Sequence, residues 1–252
     1  MVFEPFSSGT SWLHQRDGRV KVVLALLFSL LLSLLASWPV ALLGLGLALG
    51  LVLLARLPLR QVLARLAMVN VFILLLWLTL PLVGEADLEL GPLAVNQRGL
   101  EMALLITLKS NAIVLLLLAL VATSSLAVLG QALQLLLVPE KFCLLLLYTY
   151  RYIFVLTKEF DRLRRAATLR GFVPTTSLHT YRTYGNMIGM TLVRGWRRGQ
   201  RVQQAMVLRG FTGRYHGLTV TDLGRADLLL LTMGLAGLFF ITGLELRAGG
   251  TW

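Results

Sequence analysis

Long apolar runs dominate the chain, and their lengths set its predicted architecture. A hydrocarbon layer is crossed by about 20 apolar residues in a helix, and a shorter run crosses where the bilayer thins locally. Five runs come close to this length: Val20–Ser37, Val40–Ala55, Leu66–Val83, Glu101–Ala122 and Leu228–Leu244. We therefore predict an all-α integral membrane protein with about five transmembrane helices.

Between the fourth and fifth runs the pattern becomes amphipathic and predicts helices outside the hydrocarbon layer. Thr123–Ser125 supply an N-cap cluster for a helix over Leu126–Val138. Pro139, which is well tolerated in a first turn, starts a second helix that continues from Glu140 to Leu169, about 45 Å at 1.5 Å per residue. Its first half is apolar almost all round, so we expect that half to be buried against the membrane bundle.

A third helix is predicted over Tyr181–Leu208, with two contrasting sides. Apolar residues recur on one side: Ile188, Leu192, Trp196, Val202 and Met206. Arg194, Arg198 and Arg201 follow helical spacing on another side. Such a basic amphipathic helix lies at a membrane surface or in the groove of a partner, and the pattern leaves both readings open.

The distribution of charge orients the predicted spans. Of all residues 57% are hydrophobic and only 14% are charged, against about 25% charged in a soluble domain. The net charge is +12, and residues 151–225 hold fourteen Lys or Arg and three acids. Basic residues gather on cytoplasmic loops, so we predict a cytoplasmic amino terminus and an external carboxyl terminus. Nucleic-acid binding is not expected, because no stacking aromatics alternate with the arginines.

The two longest amphipathic helices end in the same residues. Residues 166–172 read Ala-Ala-Thr-Leu-Arg-Gly-Phe, and residues 205–211, 39 positions later, read Ala-Met-Val-Leu-Arg-Gly-Phe. Glycine suits the position just past a helix end, and arginine near that end interacts favourably with the helix dipole. One copy would be an ordinary helix stop, whereas two copies with the same neighbours suggest two similar partner sites. The candidate residues are Ala166, Leu169, Arg170, Gly171, Ala205, Leu208, Arg209 and Gly210.

This repeat resembles the paired coupling motifs of the transmembrane T components of energy-coupling factor (ECF) transporters. Two further stretches resemble the CbiQ-type members, which are associated with cobalt or nickel import. They are Ser-Trp-Leu-His at 11–14 with Asp-Gly-Arg-Val-Lys at 17–21, and Arg-Tyr-Ile-Phe at 151–154 followed by Glu159 and Arg162. The resemblance covers nearly the whole chain. The common family form is Ala-Arg-Gly, and here both copies read Leu-Arg-Gly.

The resemblance implies a non-catalytic scaffold in a bacterial inner membrane. Such a scaffold joins two ABC ATPases (CbiO-like) to a substrate-binding membrane subunit (CbiM-like), with or without a small CbiN-like subunit. Arg170 and Arg209 would each anchor to one ATPase, and ATP with Mg²⁺ would be bound by those partners rather than by this chain. The implied organisation is a four-span bundle over 1–122, a coupling-helix region over 123–225, and a last span with its tail over 226–252.

Two features inside the predicted spans are candidates for special roles. Lys109 lies about a third of the way into the fourth span, where an ionisable residue is functional or is bonded to a neighbour such as Asn70. Gly44, Gly46 and Gly50 lie on the second span, and their spacing predicts close approach of another helix.

No residue set indicates catalysis, a metal site or a cofactor held by this chain. His14, His179 and His216 are far apart and lack metal-ligand spacing. Cys143, the single cysteine, lies in an apolar run and is expected to be a small packed side chain. There is no Gly-Lys-Ser or Gly-Lys-Thr phosphate loop, so a partner would have to handle ATP.

Two other function classes stay open. An integral membrane enzyme acting on lipid-like substrates would need clustered acids or histidines, and the nearest approach is Glu159 with Asp161 beside Arg162. These two acids point apart on a helix. A self-contained channel or secondary carrier would be expected to carry inverted repeats or broken polar spans, whereas the repeat found here runs in parallel.

Overall fold

The computed structural model describes residues 6, 9, 11–35, 37–80, 88–90, 93–211 and 224–247. The chain forms two compact units, Met1–Leu136 with Val220–Trp252, and Leu137–Thr219. The first unit contains α1 (Gly18–Leu34), α2 (Trp38–Ala55), α3 (Leu59–Thr79), β1 (Leu88–Leu90), β2 (Leu93–Val95), α4 (Gln97–Leu120), α5 (Leu126–Leu135) and α8 (Arg225–Arg247). The second unit contains α6 (Glu140–Leu169) and α7 (Leu178–Leu208).

Four helices are long and apolar enough to cross a bilayer within the described part of the chain. They are α2, α3, α4 and residues Arg225–Glu245 of α8. Helix α1 has 17 residues, about 26 Å at 1.5 Å per residue, which is shorter than a hydrocarbon core of about 30 Å. The chain is therefore a helical, multi-pass membrane protein, and its fifth crossing stays a prediction.

Helix α3 differs most from the predicted boundaries. It begins at Leu59, before the apolar run that starts at Leu66, so Arg60 and Arg65, which precede that run, are helical. Pro58 is its N-cap, and the residues that follow are mostly good helix formers. Helices α2 and α3 are joined by a tight turn in which Arg56 adopts a left-handed backbone with φ 51°.

A small hairpin lies between α3 and α4 in the described part of the chain. Strands β1 and β2 pair antiparallel, with Leu90 opposite Leu93. Gly91 and Pro92, which join the two strands in sequence, lie outside the described residues, as do Glu85 and Asp87. The fold is thus helical with one short two-stranded addition.

Small residues let α1, α2 and α4 pack closely in the first unit. Ala41, Gly44 and Ala48 are buried on α2. A Cβ added at Gly44 would lie 2.4 Å from Cδ2 of Leu32, whereas one added at Gly46 or Gly50 would meet nothing within 4 Å. The prediction of close approach is therefore confirmed for Gly44. Gly46 and Gly50 lie on another side of the helix and meet no other described part of this chain, so for them it stays a prediction.

Polar side chains connect α3 and α4. The amide groups of Asn70 and Asn111 exchange two hydrogen bonds, each 3.1 Å long. Trp77 donates its indole N–H to the hydroxyl of Thr107 at 2.9 Å. Asn70 is therefore bonded to Asn111 rather than to Lys109. Such interhelical bonds each contribute about 0.6 kcal/mol in a membrane bundle.

The second unit is built from one long pair of helices. Helix α6 has the predicted bounds, and α7 begins three residues before the predicted Tyr181. In the first half of α6 Cys143 is buried, Phe142 and Leu145 are exposed, and most of the other apolar residues are half-buried. Packing of this half against the membrane bundle stays a prediction. Cys143 is the small packed side chain that the sequence predicted.

Candidate coupling site

The first Arg-Gly motif ends α6 with a complete Schellman cap. Leu169 is the last helical residue and Arg170 is the C-cap. Gly171 has φ +80°, a left-handed conformation that glycine adopts without a Cβ penalty. The Gly171 N–H donates to the Thr168 carbonyl at 3.0 Å, and the Phe172 N–H donates to the Ala167 carbonyl at 3.1 Å. These are the two bonds that define the motif.

The second motif repeats this geometry at the end of α7. Arg209 is the C-cap, and Gly210 has φ +77°. The Gly210 N–H donates to the Val207 carbonyl at 3.0 Å, and the Phe211 N–H donates to the Met206 carbonyl at 3.0 Å. The helix stop read from the sequence is therefore confirmed at both ends, with arginine at the C-cap and glycine one residue beyond it.

The two ends also match in exposure. Both show the same sequence of exposed and half-buried positions over all seven residues, with only the second residue and the final phenylalanine half-buried. Leu169 is 89% exposed and Leu208 is 87% exposed. Within the described residues neither Arg170 nor Arg209 forms an ion pair. Each helix therefore ends in an exposed leucine beside an exposed guanidinium.

The helix pair holds the two ends far apart. The ring of Phe172 packs beside Tyr184 in the first turns of α7, with 5.8 Å between centroids. Phe211 lines an apolar groove with Leu144 and Tyr148 from the first turns of α6. The two helices therefore run antiparallel, and each motif lies near the start of the other helix. The 31 residues of α7 separate the motifs by about 46 Å.

Contacts along the pair keep it in register. Arg194 of α7 donates to Glu159 of α6, and Arg162 lies 3.5 Å from the second carboxylate oxygen of Glu159. The hydrogen bond from Arg194, aided by the neighbouring guanidinium charges, holds the pKa of Glu159 below its usual range. Nearer the second motif, the Tyr148 hydroxyl lies 3.0 Å from the Met206 sulfur.

The predicted apolar side of α7 divides in two. Val202 and Met206 are half-buried towards α6, as members of the groove that contains Phe211. Ile188, Leu192 and Trp196 are exposed on the outer side. Sequence periodicity placed all five on one face because it could not show which residues α6 covers.

The remaining candidate residues that the structure describes lie in separate surroundings. The His14 ring bonds Ser11 and the Phe6 carbonyl, and the His179 ring packs near Phe172. His216 lies outside the described residues. Among the residues described, no three His, Cys, Asp or Glu side chains are grouped to hold a metal ion. Glu159, the acid proposed for an enzyme, is held by two arginines and is poorly placed for proton transfer.

Comparison with known proteins identifies the family of the chain. The family model for CbiQ, cobalt transport protein, matches residues 9–219. The energy-coupling factor transporter transmembrane protein EcfT of Brevibacillus brevis is 29% identical over 219 residues, which cover 81% of this chain and 82% of that protein. The EcfT of Heliobacterium modesticaldum is 28% identical over 213 residues, with 79% and 80% covered. Since the family match takes in most of the chain and both Arg-Gly ends, the chain belongs to the CbiQ family of ECF-transporter T components.

Proposed function

We propose that this chain is a non-catalytic scaffold that couples ATP hydrolysis by two partner ATPases to substrate uptake through a separate membrane subunit. The observation that carries the proposal is the matched pair of helix ends, which share sequence, cap geometry and exposure. Two equal ends on one chain suit two equal docking sites. The names of the two relatives, as energy-coupling factor transporter proteins, support the same assignment.

Each end is proposed to dock in a groove on one CbiO-like ATPase. The guanidinium of Arg170 or Arg209 offers five donors in a rigid fork that matches carboxylates and carbonyls. The exposed Leu169 or Leu208 beside it would enter the apolar part of the groove, where burying a leucine contributes about 2 kcal/mol. ATP and Mg²⁺ are bound by the ATPases in this proposal, and the chain supplies only the mechanical connection.

The helices are proposed to carry movement from the ATPases to the substrate-binding subunit. When the two ATPases close on ATP, the two docked ends would be pushed relative to each other. Helix α7 resists shortening because its backbone is hydrogen-bonded throughout. The displacement would therefore reach the outer apolar side of α7, and a CbiM-like subunit, with or without a small CbiN-like one, is the proposed receiver.

The proposed topology has five crossings, formed by α1, α2, α3, α4 and α8, with a cytoplasmic amino terminus and an external carboxyl terminus. Basic residues support this orientation, since Arg16 and Arg19 lie at the start of α1, Arg56 lies at the end of α2, and α6 and α7 are strongly basic. The helix pair would then lie on the cytoplasmic side of a bacterial inner membrane, where the ATPases are.

The proposed cargo is a cobalt or nickel ion. The support is the family description, cobalt transport protein. In this proposal the cargo is captured by the separate membrane subunit.

Reversing both arginines tests the proposal. The complex would be expressed with its two ATPases and its substrate subunit, and the variant would combine Arg170→Glu with Arg209→Glu. We expect the ATPases to be lost on purification of the chain, because a carboxylate placed against an acidic groove is repelled. Uptake of radiolabelled cobalt or nickel should fall with them. Each single variant should retain one ATPase.

A matched control changes the same charge on the same helices. Arg164→Glu with Arg182→Glu reverses two exposed arginines of α6 and α7 that lie outside the motifs. This control should keep both ATPases. The proposed function is wrong if the double motif variant still co-purifies with the ATPases and transports the metal, or if the control loses them equally.

A further inference from the structure

A fully buried lysine lies at the start of α1. The Lys21 side chain has no exposed surface. Its ammonium donates to the Ser124 hydroxyl at 3.0 Å, and the Thr123 hydroxyl and the His14 carbonyl each lie 3.5 Å away. All three partners are neutral oxygens. A buried charge is costly unless it is well bonded, so these bonds hold Ser124 and Thr123 firmly against α1.

A second set of bonds joins the start of α1 to the start of α8. The Asp17 backbone N–H donates to Oδ1 of Asp227 at 3.1 Å, and Arg16 lies 3.7 Å from the same oxygen. The other Asp227 oxygen accepts from the Gly224 N–H at 3.0 Å and so caps α8. Both aspartates are buried. Asp227 therefore ties the first turn of α8 to the residue that caps α1.

These two sets of bonds share the segment 14–21 and involve residues that precede and follow the second unit in sequence. Thr123 and Ser124 immediately precede α5, which leads to residue 137, where the second unit begins. Asp227 follows the return of the chain at residue 220. The residues before α5 and the first turn of α8 are therefore both bonded to one short segment of the first unit, residues 14–21, although they are about a hundred positions apart in sequence.

We propose that this cluster is an electrostatic clamp that holds together the two segments of the first unit that flank the coupling helix pair in sequence, residues 123–124 and 224–227, with Lys21 and Asp227 as its positioning residues. A force on α6 and α7 can move a partner only if the segments of the first unit that flank them in sequence do not move in response. The clamp would hold these segments in place, because it joins both of them to the start of α1, a helix that carries no part of either docking motif. The part of this inference that concerns coupling depends on the proposed function, whereas the clamp itself does not.

The clamp is tested by hydrogen–deuterium exchange on the full chain in its complex. Lys21→Met keeps the length of the side chain and removes its charge and donors. We expect exchange to rise about tenfold in both 119–125 and 224–230, and to stay within about twofold in 160–169. Asp227→Asn, which leaves Lys21 in place, should loosen the same two segments and provides the test if Lys21→Met does not fold. Lys158→Met, at an exposed position of α6, is the matched control and should change neither segment.

The coupling role is tested on the same complexes in liposomes. The clamp variants should retain their ATPases, because Arg170 and Arg209 are unchanged, and should hydrolyse ATP within about twofold of the unmodified complex while metal uptake per ATP falls about tenfold. The clamp is refuted if Lys21→Met loosens only one segment or neither. Its positioning role is refuted if both segments loosen and uptake per ATP is unchanged. If the unmodified chain binds no ATPases, the proposed function fails while the exchange result still decides the clamp.

Discussion

Replacing Gly171 or Gly210 with alanine should loosen the end of its helix, whereas the same replacement at Gly189 should tighten α7. All three glycines are exposed, and a Cβ added at any of them meets no atom within 4 Å. Steric crowding therefore plays no part in the comparison. The three sites differ in the backbone, because Gly171 and Gly210 have φ of +80° and +77° and Gly189 lies inside a helix.

The expected magnitudes follow from that backbone difference. A residue with a Cβ in the left-handed region costs about 1–2 kcal/mol, so each cap should become easier to open by roughly 5- to 30-fold. Inside a helix, alanine is more favourable than glycine by about 0.5–1 kcal/mol. The same chemical change thus acts with opposite sign at two kinds of site. Since the φ angles of the two caps are nearly equal, Gly171→Ala and Gly210→Ala should cost the same.

Amide hydrogen exchange measures the effect directly. In the intact complex or in detergent, peptides over 167–173 should exchange faster in Gly171→Ala, and peptides over 206–211 should do so in Gly210→Ala. Peptides over 186–193 should exchange more slowly in Gly189→Ala. If either cap variant protects its peptide as well as Gly189→Ala does, the left-handed caps are not held in solution and the matched geometry of the two ends is wrong.

Two further predictions concern the contacts that hold each unit together. The pKa of Glu159 is lowered by Arg194, so the stabilisation from this pair is complete above the pKa of an unfolded glutamate, about 4.3, and is lost as the pH falls through the lower folded value. The unfolding temperature of the full chain should therefore fall on acidification by a larger amount than that of Glu159→Gln. In the first unit, Gly44→Ala should destabilise by about 1–3 kcal/mol through overpacking against Leu32, and Leu32→Ala in the same chain should relieve the clash. Gly46→Ala, which meets open space, should leave the unfolding temperature unchanged or raise it.

The sequence pattern predicted the bounds of a helix well where an apolar run or a cap residue marks its ends. The bounds of α6 are as predicted, and α2 and α4 differ by a few residues, since apolar runs and caps are local signals. Helix α3 starts before the apolar run Leu66–Val83 because Arg60 and Arg65 interrupt the apolar pattern without ending the helix. Charge alone does not end a helix, and arginine is a good helix former.

The candidate site likewise combines features that local sequence predicts with features that only packing sets. Two exposed Arg-Gly ends follow from the sequence, because the backbone turn that glycine permits and the polarity of a helix end are both local properties. The antiparallel pairing that sets the ends about 46 Å apart, and the separation of Val202 and Met206 from the outward Trp196, depend on which surfaces meet. Only the tertiary structure decides that.

The buried cluster at the start of α1 is the clearest example of a feature that local sequence patterns do not predict. In the sequence, Lys21 reads as a basic residue at the start of a predicted span, and Thr123 and Ser124 read as a helix cap more than a hundred positions away. Local pattern determined the helices, their order and the two matched ends. Only folding decided that Lys21, Ser124 and Asp227 share one buried site, because such a contact depends on how α1, α5 and α8 pack and not on the residues adjacent to any of them.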